Sequence, residues 1–298
     1  MTKNKIALSG AQGFVGSLLT QELQSLGYEI WPLVRSKSLE PQEIYYDYKN
    51  NFIEKDKLDQ CDAVIHLAGK NIKGLWTRQF KRELYESRVV STKLIAQALS
   101  NSKCSVFICA SAAGYYGDGK KDILDEKSPR GIGFLPELCE AWEQASNYAA
   151  SDNRRVINLR FGLILSREAG ILKSMEKIFK LGLGAIMGSG KQYMAVVSRE
   201  DAVRAILFAL SHKNLKGPLN ITCAQEITNE RFSKILARAL KQKIRFRVPE
   251  FLLKLMGDES SLMLNSCRAV PQALLDAGFK FTSLSAQDII KKLYYAQK

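Results

Sequence analysis

The sequence predicts an α/β fold, in which a doubly wound parallel sheet is followed by a smaller mixed α/β domain. Apolar runs typical of buried strands alternate with helical patterns through the first half of the chain, and the second half mixes helices with few strands. Strands that alternate with helices favour a parallel sheet covered on both faces. The predicted strands are KIALS (5–9), YEIWPLV (28–34), DAVIHLA (62–68), CSVFICA (104–110), RVINLRFGLIL (155–165) and PLNIT (218–222).

Helical spacing of the apolar residues predicts the helices that separate and follow these strands. They lie near residues 14–26, 77–99, 134–151, 170–182, 199–211, 229–242 and 285–296. We therefore expect a first domain over residues 1–165 and a C-terminal domain over residues 166–298. Residues 199–222 are expected to pack back on the first domain.

The net charge of +14 is concentrated in the C-terminal half, where basic residues far outnumber acidic ones. Summed positive potential steers anions toward a protein, so the charge favours a small anionic substrate. A solvated basic surface that serves solubility is the alternative. Charge is the only feature that would support a nucleic-acid partner, so we predict none.

Several classes of protein are disfavoured by composition. No apolar run approaches the ~18 residues that a membrane span needs, and glycines interrupt the N-terminal apolar run. This predicts a first strand rather than a signal peptide, a cytoplasmic protein and no membrane partner. The six cysteines form no CxxC pair, and two histidines, His66 and His212, give poor support to a zinc site or a Ser-His-Asp triad. We predict no metal.

The segment SGAQGFVG predicts a nucleotide-binding turn. Gly10, Gly13 and Gly16 follow a strand and open an amphipathic helix that leads to a second strand, all within about thirty residues. The first glycine permits the turn, the second admits a pyrophosphate to the backbone, and the third packs the helix against the sheet. The helix N-terminus then presents N–H groups to phosphates. This context predicts a Rossmann-type domain that binds a dinucleotide.

The end of the second predicted strand indicates which dinucleotide is bound. An acidic residue there would hydrogen-bond the ribose 2′-OH of NAD, but this chain has LVRS, with Arg35. A guanidinium matches a 2′-phosphate, so we predict NADP. A solvated arginine at a strand end is the alternative. In AVIHLAG (63–69), His66 lies between apolar neighbours and is interpreted as a core histidine rather than a base.

These motifs together resemble the extended short-chain dehydrogenase/reductase superfamily, and most closely an atypical, epimerase-like branch of it. The resemblance covers essentially the whole chain and rests on GFVG, AVIHLAGKNI, SRVVSTKLI, SAAGYYG, LRFGLIL, GLGAIMGSGKQY and the closing segment RFRVPEFLLKLMGDESSLMLNSCRAVPQALLDAGFKF. The closing segment looks like the C-terminal domain of unknown function that marks the branch. Its members are usually described as NAD(P)-dependent sugar-nucleotide epimerases, and extended members often form homodimers.

The resemblance implies a set of cofactor contacts. They are Gly10, Gly13, Phe14 and Val15 at the pyrophosphate, Arg35 at the 2′-phosphate, Leu67, Ala68 and Gly69 near the adenosine, and Glu83 and Arg88 on the helix of KRELYESRVVST. From spacing alone, Glu83 and Arg88 would be solvated. A planar donor fork at Arg88 could anchor a phosphate or ribose.

The proton-transfer pair of the superfamily is absent where it is expected. Ordinary members place a Tyr and, one helical turn later, a Lys whose charge lowers the pKa of the phenol. Here those two positions hold Leu135 and Cys139, and the usual hydroxyl position holds Ala112 with Ser111 before it. Cys139 is predicted to be buried.

Other residues could replace the missing pair. Ser111 lies at the end of the predicted strand CSVFICA (104–110), and Tyr115 and Tyr116 follow in the same turn. We expect Ser111 and Tyr115 to orient substrate, with Tyr115 as the proton donor. Trp142 is interpreted as a packing anchor and Glu143 as a carboxylate on the helix surface.

The sequence leaves two functions open. One is an NADP-dependent epimerase or oxidoreductase that acts on a small anionic or sugar-nucleotide-like substrate without the usual Tyr-x-x-x-Lys pair. In the superfamily, the equivalent of GLGAIMGSGKQY (182–193) lies beside the substrate, and its four glycines and Lys191 suit an anionic group. The other is an NADP-binding sensor or regulatory protein without catalysis.

Overall fold

A computed structural model describes residues 4–37 and 40–295. The described residues form strands β1 to β16, which are Lys5–Ser9, Glu29–Val34, Ile44–Asp47, Phe52–Ile53, Ala63–His66, Val106–Ala112, Ile123–Leu124, Arg155–Phe161, Leu163–Leu165, Ala185–Met187, Tyr193–Met194, Val196–Ser198, Gly217–Ile221, Ile227–Thr228, Phe246–Val248 and Arg268–Ala269. Helices α1 to α12 are Gly16–Ser25, Lys55–Leu58, Arg78–Tyr85, Ser91–Ala98, Phe134–Asn147, Gly170–Lys180, Arg199–Ser211, Asn229–Ala239, Glu250–Lys254, Ser261–Leu264, Gln272–Asp276 and Ala286–Tyr295. A π-helical turn covers Glu86–Val90, and 3₁₀ turns cover Ala113–Tyr116 and Gly257–Ser260.

The chain divides into two compact units that are interleaved in sequence. The first unit comprises the chain up to Ser111 together with Leu138–Leu159 and Ile206–Leu219. The second comprises Ala112–Glu137, Arg160–Ala205 and the chain from Asn220 onward. Residue 165, where the sequence places its domain boundary, lies within the second unit, and much of the 199–222 region belongs to the first.

The main sheet confirms the predicted fold class. Its strand order is β13-β8-β6-β5-β1-β2-β3-β4. β1 pairs in parallel with β2 and β5, β5 pairs in parallel with β6, and β2 pairs in parallel with β3. At the edge of the sheet, β4 pairs with β3 in the antiparallel sense. This mostly parallel sheet brings the carboxyl ends of β1, β2, β5 and β6 to one edge, where nucleotide sites form in such sheets.

Apolar side chains fix the register of the first unit. Leu8 and Ile65 on neighbouring strands have no exposed surface, and Leu19 and Leu23, one turn apart on α1, are equally buried. Each fully buried side chain of this size contributes about 1.5–3 kcal/mol. A one-residue slip of β1 would exchange the residues on its two buried faces and place Leu8 where the smaller Ala7 or Ser9 packs, so side-chain packing sets where the glycines after β1 lie.

The second unit has the predicted mixed α/β character. Its strands form two-stranded ribbons, β9 with β12, β10 with β15, β11 with β14 and β7 with β16. Helices α6, α8 and α12 contribute Phe179, Phe232, Leu236 and Ile289 to one apolar core. These helical faces cover the short ribbons, which lack enough strands to bury an apolar face alone.

The structure departs from the sequence-based elements at several places, mostly in short strands and helices. Strand 155–165 is broken at Gly162, where a Cβ would lie 2.7 Å from the carbonyl oxygen of Ala195. The predicted helix 77–99 contains the π-helical turn, and β3 and β4 were not predicted because both are very short. None of the helices within 4–37 and 40–295 is long and apolar enough to cross a membrane.

Candidate functional site

The glycine turn after β1 is built as a close backbone passage. The Gly13 N–H donates to the Gly10 carbonyl at 2.8 Å, and Gly10 has a φ of +72°. A Cβ on Gly16 would lie 2.0 Å from the Gly10 carbonyl oxygen, so glycine alone fits at the start of α1. The N-cap residue Val15 makes no side-chain hydrogen bond to the first turn. This end of α1 therefore has the form of an anion cradle.

A buried hydrogen-bond chain holds the adjacent loop at residues 67–69. The Ser9 hydroxyl accepts from the Leu67 and Ala68 N–H groups, each at 3.1 Å, and lies 2.6 Å from His66 Nδ1. Since Ser9 Oγ already accepts twice, it donates to Nδ1, which leaves the proton of His66 on Nε2. Nε2 then donates to Ser91 Oγ at 3.2 Å, and Ser91 donates to the Ser87 carbonyl.

His66 is buried, as its apolar neighbours predicted. Its side chain has no exposed surface, and burial lowers its pKa to about 3. It is therefore neutral at physiological pH. The histidine is a structural link between β5 and the helix that carries Ser91, rather than a proton-transfer group.

Glu83 and Arg88 both contact Lys70, immediately after that loop. Arg88 Nη2 donates to the Lys70 carbonyl at 2.8 Å, and the Glu83 carboxylate pairs with Lys70 Nζ at 2.9 Å. A Cβ on Gly69 would lie 3.5 Å from Arg88 Cζ, so the guanidinium packs directly against the glycine. The two residues thus brace the 67–70 loop, a role that spacing alone did not indicate.

Arg88 lies within the π-helical turn at Glu86–Val90 and reaches toward the 67–70 loop rather than into solvent. Its Nη1 also donates to the Leu84 carbonyl, one turn earlier, at 3.4 Å. Arg88 is half-buried, and its desolvation lowers its pKa from the usual arginine value. Its guanidinium also lies 5.2 Å from the ring centre of Trp142 on α5.

Arg35 follows β2 at the predicted edge of the sheet and is exposed. Burial raises the pKa of nearby Tyr46 to about 12, and the charge of Arg35 opposes that increase. Lys37, two residues on, lies 5.7 Å from the Tyr45 ring centre. Two cations therefore lie at the end of β2, where the sequence placed a 2′-phosphate.

Helix α5 differs from the expected surface helix at Glu143. The Ser111 hydroxyl donates to Glu143 Oε1 at 2.7 Å, and both residues are buried. The interpretation of Glu143 as a surface carboxylate is therefore wrong. Trp142 is buried and donates from Nε1 to Thr92 Oγ1 at 2.9 Å, as expected of a packing anchor. Cys139 is buried and Leu135 is half-buried.

The two tyrosines of SAAGYYG have opposite environments. Tyr116 is buried, and its hydroxyl accepts from Arg160 Nη1 at 2.9 Å and donates to Asn220 Oδ1 at 2.7 Å. Burial raises its pKa. Tyr115 is half-buried, with its ring centre 3.5 Å from Arg160 Cζ. Within the described part of the chain, the Tyr115 hydroxyl makes no hydrogen bond.

The 182–193 loop carries glycines in the left-handed region. Gly182, Gly188 and Gly190 have φ of +75°, +54° and +72°. Arg247 donates to the Gly188 carbonyl at 3.2 Å and pairs with Glu230, while Lys191 is exposed. Across residues 4–37 and 40–295, no group of three potential metal ligands comes together.

The first unit holds most of the predicted site residues. The predicted site residues in this unit are Gly10, Gly13, Phe14, Val15, Gly16, Arg35, Leu67, Ala68, Gly69, Glu83, Arg88 and Ser111. Tyr115 belongs to the second unit. Sequence reasoning missed Ser9 and Glu143. The available signals were the position of Ser9 at the end of the first strand and that of Glu143, one helical turn after Cys139.

Comparisons with known proteins agree in family and fold. The profile of the NAD dependent epimerase/dehydratase family matches residues 6–222, and that of a domain of unknown function, DUF1731, matches residues 248–291. An epimerase family protein of Mycobacterium leprae is 36% identical over 283 residues, covering 94% of this chain and 92% of that protein.

Two solved structures are similar over nearly the whole chain. The human epimerase family protein SDR39U1, crystallised with NADPH, superposes with a TM-score of 0.87 at 25% identity, covering 97% of this chain and 99% of that one. A nucleoside-diphosphate sugar epimerase of Corynebacterium glutamicum superposes with a TM-score of 0.82 at 29% identity, covering 99% of this chain and 59% of that one.

Proposed function

The chain belongs to the NAD dependent epimerase/dehydratase family, and from that membership we propose that it is an NADP-dependent epimerase or oxidoreductase acting on a small anionic or sugar-nucleotide-like substrate. The observation that carries the proposal is the glycine cradle at α1. Gly16 admits no Cβ and Val15 supplies no side-chain cap, so the backbone there suits a phosphate rather than a side chain.

The described residues fit NADP in three places. Gly10, Gly13 and the first turn of α1 would hold the pyrophosphate, and Arg35 would pair with the 2′-phosphate. The 67–69 loop, fixed by Ser9 and braced by Arg88, would lie along the adenosine. The human relative crystallised with NADPH supports the same choice of cofactor. When bound, NADP would supply a hydride acceptor or donor at its nicotinamide ring.

Tyr115 is the proton donor that the site favours. Its hydroxyl has no partner among the described residues, whereas that of Tyr116 is bonded to Arg160 and Asn220. Stacking on the Arg160 guanidinium holds the Tyr115 ring in one orientation. The phenol would give its proton to, or take one from, a substrate oxygen. This arrangement would replace the Tyr and Lys that Leu135 and Cys139 displace.

Ser111 takes a positioning role in the proposal. Its proton is directed to Glu143, so a substrate hydroxyl would meet the remaining lone pairs of Oγ, which accept a hydrogen bond. The basic second half and the exposed Lys191 support an anionic substrate.

A second candidate is an NADP-binding sensor without turnover. The observation that favours it is the environment of the Tyr and Lys positions, where Leu135 is half-buried, Cys139 is buried, and the nearby Ser111 hydroxyl is already bonded. A protein of this kind would report cofactor state to a partner and need no proton donor.

Fluorescence of NADPH separates the two candidates. Tight binding is established first by titration, and a panel of sugar nucleotides and small carbonyl compounds is then screened for turnover, by NADPH oxidation and by product analysis for epimers. Turnover that Tyr115→Phe removes and Tyr116→Phe spares supports the enzyme. Tight binding without turnover across the panel supports the sensor, and absence of binding contradicts both.

A further inference from the structure

An exposed apolar patch lies in the second unit, outside every residue assigned to the cofactor or to proton transfer. It is formed at the end of α6, on β15 and around α9. Its members are Ile178, Leu181, Leu183, Phe246, Phe251, Leu252, Leu255 and Met256, each at least 45% exposed.

These three segments are held together by the β10–β15 ribbon. Ala185 pairs with Phe246, and Leu183 precedes Ala185 by two residues. Helix α9 begins two residues after β15 ends. Leu253 is buried and anchors α9, so the neighbouring Phe251, Leu252 and Leu255 are left facing outward. Strand pairing and chain connectivity therefore hold Leu183, Phe246 and the start of α9 near one another.

The most exposed side chains of the patch flank two glycine turns. Leu181 and Leu183 lie on either side of Gly182, which has a φ of +75°, and Leu255 and Met256 precede Gly257, which has a φ of +67°. Leu181 is 74% exposed and Leu255 is 81% exposed. Both turns therefore leave large apolar side chains mostly exposed.

Basic residues surround these turns. Residues 170–183 and 240–256 contain eight Lys or Arg and two Glu. Glu176 is already paired with Lys180, and Glu250 with Lys254. Lys177, Lys241, Lys243 and Arg245 are exposed. The apolar projections thus rise from a strongly positive surface.

We propose that this patch docks the protein reversibly on an anionic lipid surface, with the apolar side chains entering the headgroup region and the cations paired with lipid phosphates and carboxylates. Apolar projections among lysines are the pattern of interfacial membrane contact. Protein interfaces are depleted of lysine at their cores, and a second copy would bring like charges face to face. The contact needs no spanning helix and is independent of the proposed NADP chemistry.

Vesicle co-sedimentation of the full chain tests the proposal. With phosphatidylcholine vesicles that contain phosphatidylserine, the protein should pellet at low ionic strength and be released by high salt. It should stay in solution with phosphatidylcholine alone. The variant Leu181→Ser/Leu255→Ser should lower the partition coefficient by about tenfold or more, because two buried leucine side chains are lost from the contact.

Two matched controls test whether vesicle binding depends on this patch or on any exposed leucine or lysine. Leu75 in the first unit is also 74% exposed, and Leu75→Ser should leave binding unchanged. Lys241→Glu/Lys243→Glu should weaken binding, whereas Lys213→Glu/Lys216→Glu, at exposed first-unit positions, should not. These four variants alter exposed side chains, so circular dichroism should show unchanged folding in each.

Three results would overturn the proposal. The first is a wild-type protein that stays in solution with phosphatidylserine vesicles, and the second is equal binding by the Leu181→Ser/Leu255→Ser variant. The third is a wild-type dimer in sedimentation velocity that becomes a monomer in this variant, which would assign the patch to a second copy of the chain.

Discussion

The Ser111 hydroxyl donates a 2.7 Å hydrogen bond to the Glu143 carboxylate, and both side chains are buried. The bond joins the end of β6 to α5, one helical turn after Cys139. A buried carboxylate is tolerated only when its oxygens are hydrogen-bonded. Ser111 supplies one such bond, which makes Glu143 part of the interior that shapes this region.

Glu143→Ala should destabilise the fold by about 1–3 kcal/mol, since it leaves the Ser111 hydroxyl without its acceptor in a buried place. Urea unfolding followed by circular dichroism measures the change. Gln144→Ala, at the next and exposed position of α5, should shift the free energy of unfolding by no more than about 0.5 kcal/mol. Equal effects of the two substitutions would contradict a structural role for the Ser111–Glu143 bond.

Tyr115→Phe should lower the catalytic rate, whereas Tyr116→Phe should lower the stability of the fold. Loss of the Tyr115 hydroxyl should lower kcat by about 10²-fold or more at unchanged Tm, because a proton donor is removed while no hydrogen bond is broken. Loss of the Tyr116 hydroxyl should cost about 1–3 kcal/mol of stability, because Asn220 Oδ1 and Arg160 lose a buried partner. Steady-state kinetics and thermal unfolding of both variants check the pair. A catalytically normal Tyr115→Phe enzyme would rule out the assigned donor.

Arg35→Asp should reverse the cofactor preference. The guanidinium pairs with a 2′-phosphate, whereas a carboxylate at that place repels the phosphate and accepts from the ribose hydroxyl of NADH. We expect NADPH affinity to fall by about tenfold or more and NADH affinity to fall far less. Fluorescence titration with each dinucleotide gives the two dissociation constants. Lys213→Asp, an exposed control in the first unit, should change neither, and equal losses for Arg35→Asp would refute the 2′-phosphate contact.

His66 should make stability depend on pH below neutrality. Its pKa is about 3 in the folded protein against 6.5 ordinarily, so the unfolded chain takes up the proton first as the pH falls. The stability linked to this histidine is fully present above pH 6.5 and is lost as the pH falls toward 3, at about 1.4 kcal/mol per pH unit. Urea unfolding of wild type and His66→Asn between pH 5 and 7 compares the slopes. A variant with an undiminished slope would show that other groups carry the dependence.

Periodicity was sufficient for the larger elements of the fold. β1 and α7 begin and end where apolar spacing predicted, because each buries one continuous apolar pattern. The break at Gly162 depends instead on the approach of the Ala195 carbonyl, which is distant in sequence. Short strands such as β3 and β4 carry too few residues to establish a period.

The candidate site was predictable where a motif determines the backbone. Gly10, Gly13 and Gly16 act through local geometry, so their spacing alone indicated the turn. Glu143 was misplaced because a single carboxylate on an amphipathic helix has no sequence signal for its partner, which lies on β6. Arg88 was expected to be solvated because its sequence carries no signal for its partner, the backbone carbonyl of Lys70, which lies 18 residues earlier in the chain.

The interleaving of the two units has a consequence for the order of biosynthesis. The first unit recruits Ile206–Leu219, so it lacks one of its parts until Ala112–Glu137 and Arg160–Ala205 of the second unit have been synthesised. A truncated polypeptide that stops at residue 165 lacks β13, which forms one edge of the main sheet. Such a fragment should fold poorly as an isolated nucleotide-binding domain. Folding of the first unit is therefore expected to finish only after Leu219 has left the ribosome, and not during synthesis of its first 111 residues.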